Sequence, residues 1–126
     1  MAILGDQEHL VLSTVWELGP CTVRQVFEQV GRPRGLAYTT IATVLDRLHA
    51  KGLVVRELDG KSHIYKPAKR RRAVEKARAK TLLGKILGAD PVPSVASLVD
   101  AVEAIDPDLL DRLAEEVERR RSRRGS

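Results

Sequence analysis

The sequence predicts a mainly α-helical protein. An N-terminal winged helix-turn-helix, three helices plus a β-hairpin wing, precedes a C-terminal three-helix region. Three observations predict this. Apolar residues recur at helical spacing in three successive stretches before Gly52. The period then shortens to that of strands in "LVVREL" and "SHIYKP", on either side of "DGK". After Pro67 the helical spacing returns three more times. The expected division is therefore 1–67 and 68–126.

In order, the first helix spans about Asp6 to Leu18, with Asp6 as its cap. Its inward stripe is Leu12, Val15 and Trp16, with Val11 and Leu18 at the margins, and Gly19-Pro20 stops it. In "TVRQ", Thr22 and Gln25 form a capping box for a second helix reaching about Val30. That helix places Val23, Val26, Phe27 and Val30 at i, i+3, i+4 and i+7. "GRPRG" is a turn. The third helix occupies "LAYTTIATVLDRLHAKG", with Gly52 as a left-handed cap. Asp59-Gly60 signals a two-residue hairpin loop. A long helix from Ala68 to Leu87 follows, basic first and apolar later, and "GADPVPS" breaks it. Ser94 caps a short helix. Asp106 caps the last one, with Pro107 at its first position, where a missing amide costs nothing. Glu115–Arg119 and Glu116–Arg120 are i,i+4 pairs on its outer face.

Composition bounds the function. The chain has 126 residues, 43% apolar and 31% charged, enough for one domain or a small domain with an appendage. Aromatics are only 3%, so the core must be aliphatic. No run approaches the ~18 apolar residues of a membrane span, and "MAILGDQEHL" does not read as a signal peptide. The expectation is a cytoplasmic protein with no membrane insertion. Cys21, the single cysteine, can form neither an internal disulfide nor a metal cluster. His9, His49 and His63 are scattered, and no nucleophile–base spacing recurs, so no enzyme, metal or cofactor is expected. Between 61 and 85 there are ten Lys/Arg against Glu75; between 90 and 118, nine acids against Arg112. A polyanion partner for the basic block and a merely solvated charged surface both fit that asymmetry.

The third helix carries the functional signal. Ile41, Val44, Leu45 and Leu48 form one apolar stripe. Thr40, Thr43 and Arg47 share another, with Thr39 one turn before Thr43. Threonine is a mediocre helix former, so three within five residues call for a use. In a helix-turn-helix this helix lies in the major groove. Threonine hydroxyls can reach base edges or phosphates there, and the methyl can touch a thymine methyl. Tyr38 can bond a phosphate, and Arg47 can contact backbone or bases. Asp46 is an awkward neighbour for DNA and is expected to pair with Arg47 or point away. Lys61 at the hairpin tip and His63 on the return strand can reach phosphate or an adjacent minor groove. The plainer reading leaves the threonines as a polar surface and the wing charges solvated.

The last 59 residues hold three amphipathic helices. Below ~70 residues a lone core rarely supplies more than ~3–5 kcal/mol. Docking on the first domain is hindered by the charged start of the connecting helix. Burial between two copies is the economical solution. The residues expected at that interface are Leu82, Leu83, Ile86 and Leu87, then Leu98, Val99 and Val102 with Val95 beside them, then Leu109, Leu110, Leu113 and Val117. Two winged modules would then stand at the fixed spacing that a palindromic site requires. The alternative is an intramolecular bundle.

"GPCTVRQVFEQV", "LAYTTIATVLDRLHAKGLV" and "DGKSHIYKP" resemble the penicillinase-repressor (BlaI/MecI-type) family of bacterial winged-helix regulators. The likeness is strong over about residues 8–68, and in the tail it lies mainly in helix pattern and length. It implies a homodimeric repressor reading a dyad-symmetric operator in double-stranded DNA. Base and backbone contacts then fall on Tyr38, Thr39, Thr40, Thr43 and Arg47, wing contacts on Lys61 and His63, and the dimer on the C-terminal helices. Two departures follow. In the β-lactam branch a membrane metalloproteinase sensor induces cleavage of an Asn–Phe bond in the short tail helix. The matching place here is Asp100-Ala101, so a membrane sensor or protease partner is in doubt. The paired C-terminal cysteines of the copper-responsive branch are absent. Rival readings are a winged helix used for protein contacts and a nonspecific DNA binder. Cys21 is either an oxidant sensor or a small apolar filler.

Overall fold

The computed structural model describes residues 4–88 and 91–125. Their packing separates two compact units, Met1–Thr81 and Leu82–Ser126.

The first unit is built on α1 (Asp6–Leu18), α2 (Val23–Val26) and α3 (Tyr38–Ala50), closed by strands β1 (Val54–Asp59) and β2 (Ser62–Pro67). In α1, Val11, Leu12 and Val15 are buried; Val11 is core rather than margin, and Trp16 is only half-buried. The indole Nε1 of Trp16 donates to the Lys69 carbonyl at 3.3 Å. Asp6 is not the cap. Gly5 takes that position, and its amide donates to the Glu8 carboxylate at 3.2 Å.

The capping box of α2 forms as expected: Gln25 N donates to Thr22 Oγ1 at 3.1 Å and Thr22 N to Gln25 Oε1 at 2.8 Å. The helix then widens into a π-type turn over Phe27–Gly31, followed by a 3-10 turn over Arg32–Arg34. Gly31 thus belongs to the helix rather than to the predicted turn. A Cβ there would lie 2.8 Å from Phe27 Cδ1 and 3.0 Å from Ile41 Cγ1, so glycine lets α2 and α3 approach.

The α3 stripe Ile41, Val44, Leu45 and Leu48 is fully buried. The helix ends in a Schellman motif: Leu53 N bonds to Leu48 O at 2.9 Å, and Gly52 N to His49 O at 3.0 Å with Gly52 at φ +76°. The strands pair antiparallel, Val54 opposite Pro67 through Asp59 opposite Ser62. The hairpin loop is therefore Gly60-Lys61, one residue later than predicted. Gly60 supplies the positive φ (+63°) that a II′-type loop needs at its first position. Cys21 pairs with Tyr65 through both backbone bonds, at 3.0 and 2.7 Å, and ties the wing to the start of α2.

Helix α4 (Arg71–Leu87) begins three residues later than predicted. Its charged start does dock on the winged helix. Val74 is buried in the core, His9 Nε2 lies 2.5 Å from the Glu75 carboxylate, and Arg71 covers the Trp16 ring at 5.5 Å. The first compact unit extends to Thr81.

In the second unit, α5 (Pro91–Ile105) and α6 (Pro107–Arg124) pack against each other. The predicted break at "GADPVPS" falls partly on Ala89 and Asp90, outside the described residues. Ser94 lies within α5 rather than capping it, because the helix already starts at Pro91. Asp106 does cap α6, accepting from Asp108 N at 3.0 Å. Arg120 pairs with Glu116 as predicted, at 3.1 Å, whereas Arg119 turns to Glu116 rather than to Glu115. Among the described residues no helix is long and apolar enough to cross a membrane.

Candidate nucleic-acid interface

Burying one stripe of α3 fixes what the opposite side presents. Tyr38, Thr39, Thr43 and Arg47 are exposed and Thr40 is half-buried. The first turn is not capped by a side chain, since Ala37 occupies the N-cap. Its free amides and the positive end of the helix dipole therefore accompany Tyr38, Thr39 and Thr40. The Thr43 hydroxyl donates to the Thr39 carbonyl at 2.9 Å. Its proton is thus committed to the helix, and its lone pairs and methyl remain for a ligand.

Tyr38 is held in a cluster that spacing alone did not reveal. Its ring meets Phe27 edge-on at 5.7 Å, and the Arg24 guanidinium sits 5.5 Å from its centroid. Arg32 covers Phe27 at 5.1 Å. Glu28 pairs with Arg32 at 2.9 Å and lies 3.5 Å from Arg24. The Arg32 hydrogen bond, opposed by weak desolvation and aided by Arg24, holds the Glu28 carboxyl below its ordinary value. Arg24, Phe27 and Arg32 are the residues that sequence reasoning missed. Spacing marks Phe27 only as part of an apolar stripe and gives Arg24 and Arg32 no role of their own; the three lie on α2 and the turns that extend it, the part that crosses the DNA backbone in this architecture.

Asp46 pairs with Arg56 rather than with Arg47. Arg56 Nη1, from β1, donates to its Oδ1 at 2.6 Å and to the Tyr65 hydroxyl at 3.3 Å. Arg56 and Tyr65 are direct cross-strand partners. Lys61 and His63 are both exposed on the wing, Lys61 in the loop and His63 opposite Leu58. The far end of α3 is fixed by Lys51, whose Nζ lies 2.7 Å from Glu8 Oε2. Burial pushes the Glu8 carboxyl up, but Lys51, the Gly5 amide and Arg47 together outweigh it and hold it below its ordinary value.

Cys21 is 1% exposed, and burial pushes its thiol up to about 11. It packs as a small apolar group, and a thiol so disfavoured as thiolate is a poor oxidant sensor.

In the second unit none of the predicted interface residues is buried within the chain. Leu82, Ile86, Leu109, Leu113 and Val117 are exposed, and Leu83, Leu87, Leu98, Val99, Val102 and Leu110 are half-buried.

The chain is 38% identical over 112 residues to the transcriptional regulator BlaI of Mycobacterium tuberculosis, covering 87% of this chain and 79% of that protein. Two solved regulators share the fold. The PcaV transcriptional regulator of Streptomyces coelicolor aligns with a TM-score of 0.50 at 23% identity, over 91% of this chain and 80% of that one. BpsR of Bordetella bronchiseptica aligns with a TM-score of 0.50 at 19% identity, over 82% and 76%. The profile of the family described as penicillinase repressor matches residues 4–119. With its winged helix, its exposed threonine face and this match over most of its length, the chain belongs to the penicillinase repressor family, a family of regulators and not of enzymes.

Proposed function

We propose that this protein is a homodimeric, sequence-specific DNA-binding transcriptional repressor acting in the cytoplasm on a dyad-symmetric promoter operator. Residues 1–67 carry the recognition surface, and residues 68–126 include the dimerisation region. The observation that carries this reading is the division of α3, whose aliphatic stripe is fully buried while Tyr38, Thr39, Thr43 and Arg47 face outward. Thr40 and Thr43 address base edges; Tyr38, Thr39 and Arg47 address backbone or bases; Lys61 and His63 add a wing contact. The half-exposed aliphatic faces of α4, α5 and α6 in the second unit support pairing with a second copy, since water would otherwise keep them wet. Nothing in "SLVDAVEA" matches the cleavage site of the β-lactam branch, so the inducing signal is not assigned to a sensor protease.

Footprinting the purified protein across the promoter of its own transcription unit tests this. The expected result is a pair of protected inverted repeats, with affinity falling ~10³–10⁵-fold between 50 and 200 mM salt. Uniform protection would favour a nonspecific binder. No protection, with salt-insensitive capture of a protein, would favour an interaction module.

A further inference from the structure

A carboxylate on the outward side of a recognition helix needs a reason. Asp46 lies one turn beyond Thr43, beside Arg47, and its side chain is 66% exposed. Bare, it would repel phosphate. Instead it accepts from Arg56 Nη1 at 2.6 Å, and the same nitrogen reaches the Tyr65 hydroxyl at 3.3 Å. Tyr65 is a firm anchor, 2% exposed and bonded through its backbone to both Arg56's strand and Cys21. The chain of contacts therefore runs from the recognition helix, through a planar guanidinium, to a buried phenol in the return strand of the wing.

We propose that Asp46, Arg56 and Tyr65 form a brace that sets the separation between the recognition helix and the wing. It thereby fixes which pairing of major-groove and adjacent backbone or minor-groove contacts one protomer can make. None of the three need touch DNA; they are positioning residues. Both contacts come from one terminal guanidinium nitrogen, whose two N–H groups are fixed in the guanidinium plane, whereas a lysine ammonium rotates about its stem and fixes no such angle. The proposal rests on the DNA-binding reading above.

The test compares wild type with Asp46→Asn, Arg56→Lys and Tyr65→Phe on the footprinted operator, at one salt concentration. Simple electrostatics predicts that Asp46→Asn, which removes a negative charge, binds as tightly as wild type or more tightly. The brace predicts roughly three- to tenfold weaker binding, the lower part of the range of a lost pairwise coupling, as suits a pair open to solvent. Protection by the wing should fade while protection at the α3 site persists. Arg56→Lys and Tyr65→Phe should show the same selective fading, and thermal unfolding of Asp46→Asn should stay near that of wild type because the pair is exposed. Equal or tighter binding by Asp46→Asn with both protections intact overturns the brace, as does an equal loss at both sites. A wild-type chain that protects nothing overturns the repressor reading itself, which is distinct from either outcome.

Discussion

Thr43 shows how local bonding narrows what a residue can do. Because its hydroxyl proton is given to the Thr39 carbonyl, it can meet DNA only as an acceptor or through its methyl. Thr43→Ser should therefore lose thymine-methyl discrimination while keeping the hydroxyl. Thr40→Ala should cost about 1–3 kcal/mol at particular base pairs and little elsewhere, read by operator variants in a binding titration. Glu8 gives a prediction for stability. Its carboxyl is held below the ordinary carboxylate value in the fold. Its contribution is therefore complete above the unfolded value and is lost as pH falls through the lower folded one. Glu8→Gln should destabilise the winged helix by about 1–2 kcal/mol at neutral pH, since Lys51 loses a charge-assisted bond. The difference from wild type should shrink on acidification below pH ~4, followed by chemical denaturation.

At the scale of elements, the π-type turn that extends α2 meets α3 through a glycine. Gly31→Ala would place a methyl 2.8 Å from Phe27 Cδ1 and 3.0 Å from Ile41 Cγ1. The expected cost is about 1–3 kcal/mol of overpacking, read as a lower denaturation midpoint. The shift of Phe27 should also disturb the Tyr38 ring that meets it edge-on. The wing is tested separately. Lys61→Ala should weaken binding about equally across sequences and reduce the salt slope by about 1, the signature of a phosphate contact. If the slope is unchanged, Lys61 is only solvated.

At the scale of the whole molecule, the proposed dimer would hold two recognition surfaces in a common frame. Leu113 and Val117 lie on one exposed stripe of α6. Leu113→Asp with Val117→Asp should give monomers by analytical ultracentrifugation. Operator affinity should then fall ~10²–10⁴-fold, because the second module would no longer bind as part of the same body. Dimers that persist in this variant would move the interface away from that stripe. The first unit, which buries its own aliphatic core, should keep its secondary structure in the same variant.

Much was written in the order of residues. The six helices, the wing and the buried stripe of α3 follow from spacing, caps and turn residues, because each depends on neighbours within a few positions. The family motifs also lie in continuous stretches. Contacts between distant segments were not legible. The docking of Val74 and Glu75, the Tyr38 cluster with Arg24 and Phe27, and the capture of Asp46 by Arg56 join residues whose separation in sequence carries no period. The hairpin loop moved by one residue because cross-strand register, not the Asp-Gly pair, put Gly60 at the first rather than the second loop position. Sequence determined which faces are apolar and which are hydroxyl-lined. Tertiary packing decided what each face meets, since long-range pairing depends on shape and charge brought together only when the chain closes.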